Sequence, residues 1–255
     1  MNILAFDIET IPDVEGGRKL YDLHDLSDSE VAEIMFTKRR QQTDSEFLPA
    51  HLQRVAAIST VLRTGEQCKV WSLGSTDSSE RELIERFFDG IERYTPTLVT
   101  WNGSGFDLPV LHHRAMIHGV AARRYWDSGD DDREFRWNNY LNRFHSRHTD
   151  LMDVLSGYQP RGFAPLDQMA VLCGLPGKMG MDGSKVWSAW CEGRIEDIRN
   201  YCETDALNTY LLYLRWLLVK GELDDQRFQR ECDLVRDSLA AAGEAHLKEF
   251  LAAWK

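Results

Sequence analysis

The chain has 255 residues, is 43% hydrophobic, and carries a formal net charge of −11. That apolar fraction supports a substantial core and excludes a disordered or fibrous chain, and the length fits one large domain or one domain with an appendage. The acidic balance argues against broad, non-specific adhesion to nucleic acid, which needs a basic face, yet leaves open an enzyme whose bound cations supply positive charge locally. No apolar run approaches roughly eighteen residues, so no membrane span is expected. The N-terminus reaches Asp7 and Glu9 without a basic n-region, so no signal peptide is expected. Five scattered cysteines without a Cys-x-x-Cys pair argue against a disulfide framework or a zinc ribbon, and a reducing cytoplasm is the expected compartment.

Asn2 to Phe6 reads as a buried strand, and the stretch Phe6-Asp7-Ile8-Glu9-Thr10 as its end. Asp13 to Leu48 is a polar excursion with an acidic helix-like segment, Ser27 to Ile34, and a basic triplet, Lys38-Arg39-Arg40, read as a solvated helix end. Val55 to Leu62 and Cys68 to Leu73 form a strand, turn and returning strand, giving a three-stranded antiparallel meander with the first element. Ser78 to Glu92 has helical spacing at Leu83, Ile84, Phe87, Phe88 and Ile91, and Thr97 to Trp101 is a short buried strand. The order β-β-β-α-β predicts an α/β fold, a mixed sheet flanked by helices.

Leu108 to His118 is a helix, and Arg123 to Arg147 a loop whose acidic run is read as solvated in preference to a second metal site. Thr149 to Leu155 leads into another structured segment. Ala164 to Cys173 is a helix stopped by Gly174, and Pro176 to Lys185 is a flexible loop. Two helices follow, Arg194 to Asp205 and onward to Leu218. A terminal helical hairpin runs from Asp225 to Trp254.

Asp7 and Glu9 lie two positions apart and so share one face of their strand, where two like charges repel and lose hydration. A divalent cation answers that repulsion; a solvated acidic turn is the plainer alternative. In Trp101-Asn102-Gly103-Ser104-Gly105-Phe106-Asp107-Leu108-Pro109, two glycines allow a tight turn before a helix that starts at Asp107, where a cap and a ligand are equally good readings. In Tyr201-Cys202-Glu203-Thr204-Asp205, Tyr201 and Asp205 are helix-face neighbours at the border of a leucine-rich side. Together Asp7, Glu9, Asp107 and Asp205 form an oxygen-rich set suited to Mg²⁺ or Mn²⁺. Two such ions, roughly 3.5–4 Å apart, clamp the attacking and leaving oxygens of a phosphodiester.

The three motifs, in this order, resemble the DEDD 3′–5′ exonuclease superfamily in its tyrosine-bearing branch (DEDDy). The likeness is to the proofreading exonuclease domain of family-B DNA polymerases, as found in stand-alone bacterial proteins. The resemblance covers Met1 to about Leu223 and implies a ribonuclease-H-like fold over residues 1–223; residues 224–255 lie outside its motifs and are expected as a helical extension packed on the same domain, with a partner's surface as the alternative. It implies Asp7, Glu9, Asp107 and Asp205 as ligands of two divalent ions, Mg²⁺ or Mn²⁺, and Tyr201 as the group orienting the nucleophilic water. Asn200 occupies the position where the sister branch carries histidine.

The expected activity is hydrolysis at the 3′ ends of single-stranded DNA, releasing nucleoside monophosphates. RNA is an alternative substrate, and a non-catalytic binding module on the same fold is a third reading. A chain of this length leaves no room for a polymerase, so proofreading would need a separate polymerase as partner. Thr10 and Asn102 are candidate contacts to the terminal nucleotide, each equally readable as a turn residue. Lys178 and Lys185 are candidate phosphate contacts in a loop that also reads as solvated. Phe106 is read first as core and second as a base-stacking surface, and Asp150 as a helix cap supporting the site.

Overall fold

The structure, a computed structural model, describes residues 2–255. Its centre is one mixed sheet of β1 (Ile3–Pro12), β2 (Gln53–Thr64), β3 (Gln67–Ser72), β4 (Thr97–Thr100) and β5 (His148–Asp150), in the order β3-β2-β1-β4-β5. β1 pairs antiparallel with β2 and parallel with β4, so it has a neighbour on each side. The β3-β2-β1 meander agrees with the reading from sequence, but β1 does not end at Phe6. It continues through Pro12, because β2 supplies backbone partners along its full length. The acidic residues that looked like a strand end are therefore inside the strand.

Alternating side chains sort the core into two layers. Leu4, Phe6 and Ile8 face α3 (Glu80–Tyr94) and α4 (Asp107–His118), in a cluster with Phe87, Phe88, Ile91 and Leu111. Ile3 and Ala5 face the opposite way, towards α9 (Ile195–Lys220), and share a cluster with Leu207, Tyr210, Leu211 and Leu214. Helices on both faces of a mixed sheet make this an α/β fold consistent with a ribonuclease-H-like exonuclease.

The segment expected as two successive helices is the single 26-residue α9. Every residue from Tyr201 through Leu214 is buried, because the sheet covers one side and other helices cover the rest. Among the described residues, no helix is long and apolar enough to cross a membrane. The terminal hairpin is α10 (Asp225–Ala241) and α11 (Ala245–Ala253). Its Cys232, Val235, Leu239, Leu247 and Phe250 join the α9-side cluster.

The excursion after β1 is two helices, α1 (Val14–Tyr21) and α2 (Asp28–Thr43), the second opened by a Ser27–Glu30 capping box. The basic triplet lies within α2: Arg40 pairs with Glu33 and Glu46, and Lys38 sits over the Tyr21 ring. A buried ion network ties this excursion to the body. Arg114, on α4 and 3% exposed, donates to both Glu80 oxygens at 2.7 and 2.5 Å and to Asp13 at 2.6 Å. Arg123–Arg147 is more ordered than a plain loop. It includes the short α5 (Arg123–Trp126) and buries Tyr125, Phe135 and Tyr140, while one Asp127 oxygen accepts the N–H of Gly129 and the other that of Asp132. The helix expected from Ala164 is shorter, α7 (Leu166–Leu172), with Pro165 preceding it; α6 (Leu151–Leu155) and α8 (Val186–Cys191) complete the set.

Candidate active site

Three elements bring the acidic residues of the three motifs together. On β1, Asp7 and Glu9 continue the row of Ile3 and Ala5, which places them on the α9 side of the sheet. The register with β2 shifts immediately after Glu9: Glu9 pairs with Ala57 and Thr10 with Val55, so the extra, bulged residue is Ala56 on β2.

Asp107 is the first residue of α4 and is delivered by the tight turn after β4. Asn102 adopts φ 66°, and its carbonyl accepts the N–H groups of Gly105 and Phe106, both at 3.0 Å. A Cβ on Gly103 would come within 2.5 Å of the Thr100 side chain, so only glycine fits there. Asp150 locks the same turn from β5, accepting the N–H of Asn102 at 2.9 Å and of Ser104 at 2.8 Å while capping α6. Tyr201 and Asp205 sit one turn apart on α9, and both are buried.

One carboxylate oxygen each from Asp7, Glu9 and Asp205 lie within 4.8 Å of one another. Asp107 reaches the same strand differently: its Oδ1 accepts the N–H of Ile8, the residue between the two β1 acids, at 3.2 Å. Burial, reinforced by Asp107, Glu9 and Asp205, pushes the Asp7 carboxyl far above its ordinary range. Burial, then Asp205 and Asp107, does the same to Glu9, against a partial pull from Lys178. Burial raises Asp107 to about 7, with Asp150 adding to it. Burial raises Asp205 to about 6, opposed by the Tyr201 hydroxyl and Lys178. The Tyr201 phenol is itself driven up, first by burial and then by Asp205 and Glu9, so it holds its proton at any physiological pH.

A cavity of 630 Å³ opens beside Glu9, lined also by Thr10, Phe47, Gln53, Phe106, Lys178 and Trp187. Thr10 donates its hydroxyl to Gln53 Oε1 at 3.0 Å. Phe106 is partly buried against the core of the α3–α4 face, and its ring lies 5.1 Å from that of Phe47. Lys178 is exposed at the cavity rim, its backbone N–H donated to Asp167 at 2.7 Å. Lys185 instead pairs with Asp182 at 3.6 Å, and Asn102 lines a separate cavity of 420 Å³ with His112 and Tyr140.

Some participants were not singled out from sequence. Cys202 Sγ lies 3.2 Å from the Asp7 carbonyl oxygen and 3.6 Å from Asp7 Oδ2, which clips α9 directly to β1. Its place between Tyr201 and Glu203 was the only sequence signal for it. Phe47 and Trp187 stand in segments without a chemical motif, and only the folded chain shows that they face Glu9.

The chain matches, over residues 45–254, the family described as a predicted 3′–5′ exonuclease related to the exonuclease domain of PolB. That match begins after β1 and extends through the C-terminal hairpin. The catalytic polypeptide of DNA polymerase epsilon from Emericella nidulans is 27% identical over 146 residues, 55% of this chain and 6% of that protein. The DNA polymerase of Archaeoglobus fulgidus is 26% identical over 147 residues, 56% of this chain and 18% of the polymerase. DNA polymerase 1 of Sulfurisphaera ohwakuensis is 54% identical over a shorter stretch of 41 residues, covering 16% of this chain and 5% of that protein. The chain thus spans only a small part of each of these relatives. With this match over most of its length, and with buried acids from three separated motifs gathered between β1, α4 and α9, the chain belongs to the family of predicted 3′–5′ exonucleases related to the exonuclease domain of PolB.

Proposed function

We propose that the protein hydrolyses phosphodiester bonds at the 3′ ends of single-stranded DNA, one nucleotide at a time, with two divalent cations, Mg²⁺ or Mn²⁺. The observation that carries this reading is the gathering of Asp7, Glu9 and Asp205 within 4.8 Å, with Asp107 on the same strand. Four carboxyls so close together, Glu9, Asp107 and Asp205 buried and Asp7 half-buried, resist ionisation, and the opposing charge acting on Glu9 and Asp205 is Lys178 at the rim. An all-oxygen set of this kind fits hard divalent ions, and Asp7, Glu9, Asp107 and Asp205 are the residues that would hold them. When bound, the ions supply the positive charge that offsets these carboxylates and stabilises the attacking and leaving oxygens.

The chain's own groups supply the remainder. Because Tyr201 keeps its proton, its hydroxyl acts as a hydrogen-bond donor that orients the attacking water, and not as a base. Lys178, at the rim beside Glu9, draws in the phosphate backbone. Phe106 and Phe47 offer ring faces to an unpaired terminal base, while Thr10 lines the cavity floor. Asn102 acts at the turn that aims Asp107, and Lys185, held by Asp182, makes a more distant phosphate contact. Single strands are favoured because the last nucleotides must be unpaired to enter a recessed site. A separate polymerase is the partner for any proofreading role.

The test is incubation with labelled single-stranded DNA and matched RNA in Mg²⁺, Mn²⁺ or EDTA, alongside Asp205→Ala. The expected result is stepwise release of mononucleotides from DNA, abolished by EDTA and by the substitution. Undiminished hydrolysis by purified Asp205→Ala would sink the mechanism, and faster cleavage of RNA would reassign the substrate.

A further inference from the structure

One buried polar chain takes no part in the chemistry proposed above. Glu203 lies on α9 between Tyr201 and Asp205 and is 8% exposed. At 3.6 residues per turn it sits about 200° around the helix from either of them. Its Oε1 accepts the Ser72 hydroxyl at 2.7 Å, and Ser72 Oγ is 2.8 Å from Ser59 Oγ. Ser59 stands directly opposite Asp7 in the β1–β2 register. The other Glu203 oxygen, Oε2, is 2.8 Å from Nε2 of His246, on α11. One turn earlier on α9, the Arg199 guanidinium donates to the carbonyls of Leu73 at 3.0 Å and Gly74 at 3.1 Å.

Apolar side chains would fill this space without the desolvation that a buried carboxylate incurs. What a polar chain adds is direction. Each hydrogen bond fixes distance and angle, so the set admits one rotation and one axial position of α9 over β2 and β3. That rotation is also what presents Tyr201 and Asp205 to β1. His246 further lines a cavity of 230 Å³ together with Tyr201, Asn200 and Thr204, so α11 borders the same stretch of helix.

We propose that Glu203 and His246 are positioning residues, through which the C-terminal hairpin holds α9 at the depth and rotation that bring Tyr201 and Asp205 against Asp7 and Glu9. This rests on the hydrolytic reading of the carboxylate cluster.

Three full-length variants test it: His246→Ala, His246→Gln, whose amide reaches the same oxygen, and Ser72→Ala. Each is measured for thermal melting, for Mn²⁺ affinity by calorimetry, and for kcat and KM on labelled single-stranded DNA. Partners that orient metal ligands from behind are worth about 10–100-fold in metal affinity or activity. The expectation for His246→Ala is therefore about a tenfold or greater loss of kcat, a KM within about twofold of wild type, and a matching loss of Mn²⁺ affinity. His246→Gln recovers most of both.

The proposal is overturned if folded His246→Ala keeps wild-type kcat and Mn²⁺ affinity. It is overturned equally if only KM rises, which would make His246 a substrate contact, or if His246→Gln is as impaired as the alanine variant. Should His246→Ala not stay folded, Ser72→Ala decides: lowered kcat with an unchanged melting temperature supports the proposal, and wild-type kcat overturns it. A wild-type protein that binds Mn²⁺ yet cleaves neither DNA nor RNA defeats the hydrolytic reading alone, because the Mn²⁺ affinities still report on positioning.

Discussion

Asp107 Oδ1 accepts the backbone N–H of Ile8, so the second-motif carboxylate is braced by the strand that carries the first. An asparagine keeps that acceptor and discards the charge. Asp107→Asn should therefore fold and melt at or above the wild-type temperature while losing activity by about 100-fold or more. Asp107→Ala removes the acceptor too and strands a buried N–H, a loss of about 1–3 kcal/mol in denaturant unfolding. An active Asp107→Asn would show that the residue serves only as a brace.

The raised carboxyls set a pH dependence opposite to that of acids in salt bridges. Asp205 titrates at about 6 and Asp107 at about 7 in the fold, against an ordinary value of 3.8. Between roughly pH 4 and 7 the folded, metal-free chain binds more protons than the unfolded one, so these groups lower stability as pH rises through that window. The melting-temperature gap between Asp205→Asn and wild type should widen from pH 5 to pH 8 in favour of the variant. Adding Mn²⁺ at pH 8 should close it. A gap that narrows on raising the pH would contradict the sign.

Tyr201 acts on Asp205 as well as in the water-orienting role proposed for it. Its hydroxyl lowers the proton affinity of that carboxyl, so Tyr201→Phe raises it. The expected outcome is a drop in kcat of about tenfold, with the acid limb of the pH–rate profile displaced to higher pH and KM little changed. A loss as complete as that of Asp205→Ala would mean that the hydroxyl does more than orient.

The Arg114 network predicts a stability loss remote from the chemistry. Arg114→Ala leaves Glu80 and Asp13 buried without their shared cation, a loss of about 3–5 kcal/mol in urea unfolding. Glu80 would retain the Val55 N–H at 2.7 Å, His118 at 2.7 Å and the distant Arg54 at 3.9 Å. A change below about 1 kcal/mol would show that water replaces the guanidinium.

The parts of the fold legible in the sequence were those where burial follows a simple period. Val55 to Leu62 announced itself by β-branched residues, and Ser78 to Glu92 by a clean apolar stripe. α9 was read as helical from Arg194 to Leu218 but divided in two, because its buried surface goes all the way round and gives no single stripe to follow through. β1 looked short because Asp7 and Glu9 imitate a strand end, although they sit inside the ladder for the sake of the site. Arg123–Arg147 concealed its order because Asp127, Tyr125 and Phe135 organise it through backbone acceptance and aromatic packing, which have no period.

Within the candidate site, the four carboxylates and Tyr201 were singled out from sequence because their residue types and order carry chemistry. The structure groups Asp7, Glu9 and Asp205 and sets Asp107 beside them. Phe47, Gln53 and Trp187 were not readable, since nothing local tells an apolar or amide side chain that it will border Glu9. His246 lies at the same disadvantage, one surface-like histidine in a charged helix until Glu203 is found beside it.

The contact between Cys202 and Asp7 joins residues 195 positions apart. The acidic set therefore does not exist in any early portion of the chain: β1 holds two members, α4 a third, and α9 the last. A chain emerging from the ribosome, or one clipped before α9, lacks Tyr201 and Asp205 and so has no complete acidic set. Under the proposed function, hydrolytic competence is then a property of the finished fold, complete only once α9 and the hairpin behind it have docked.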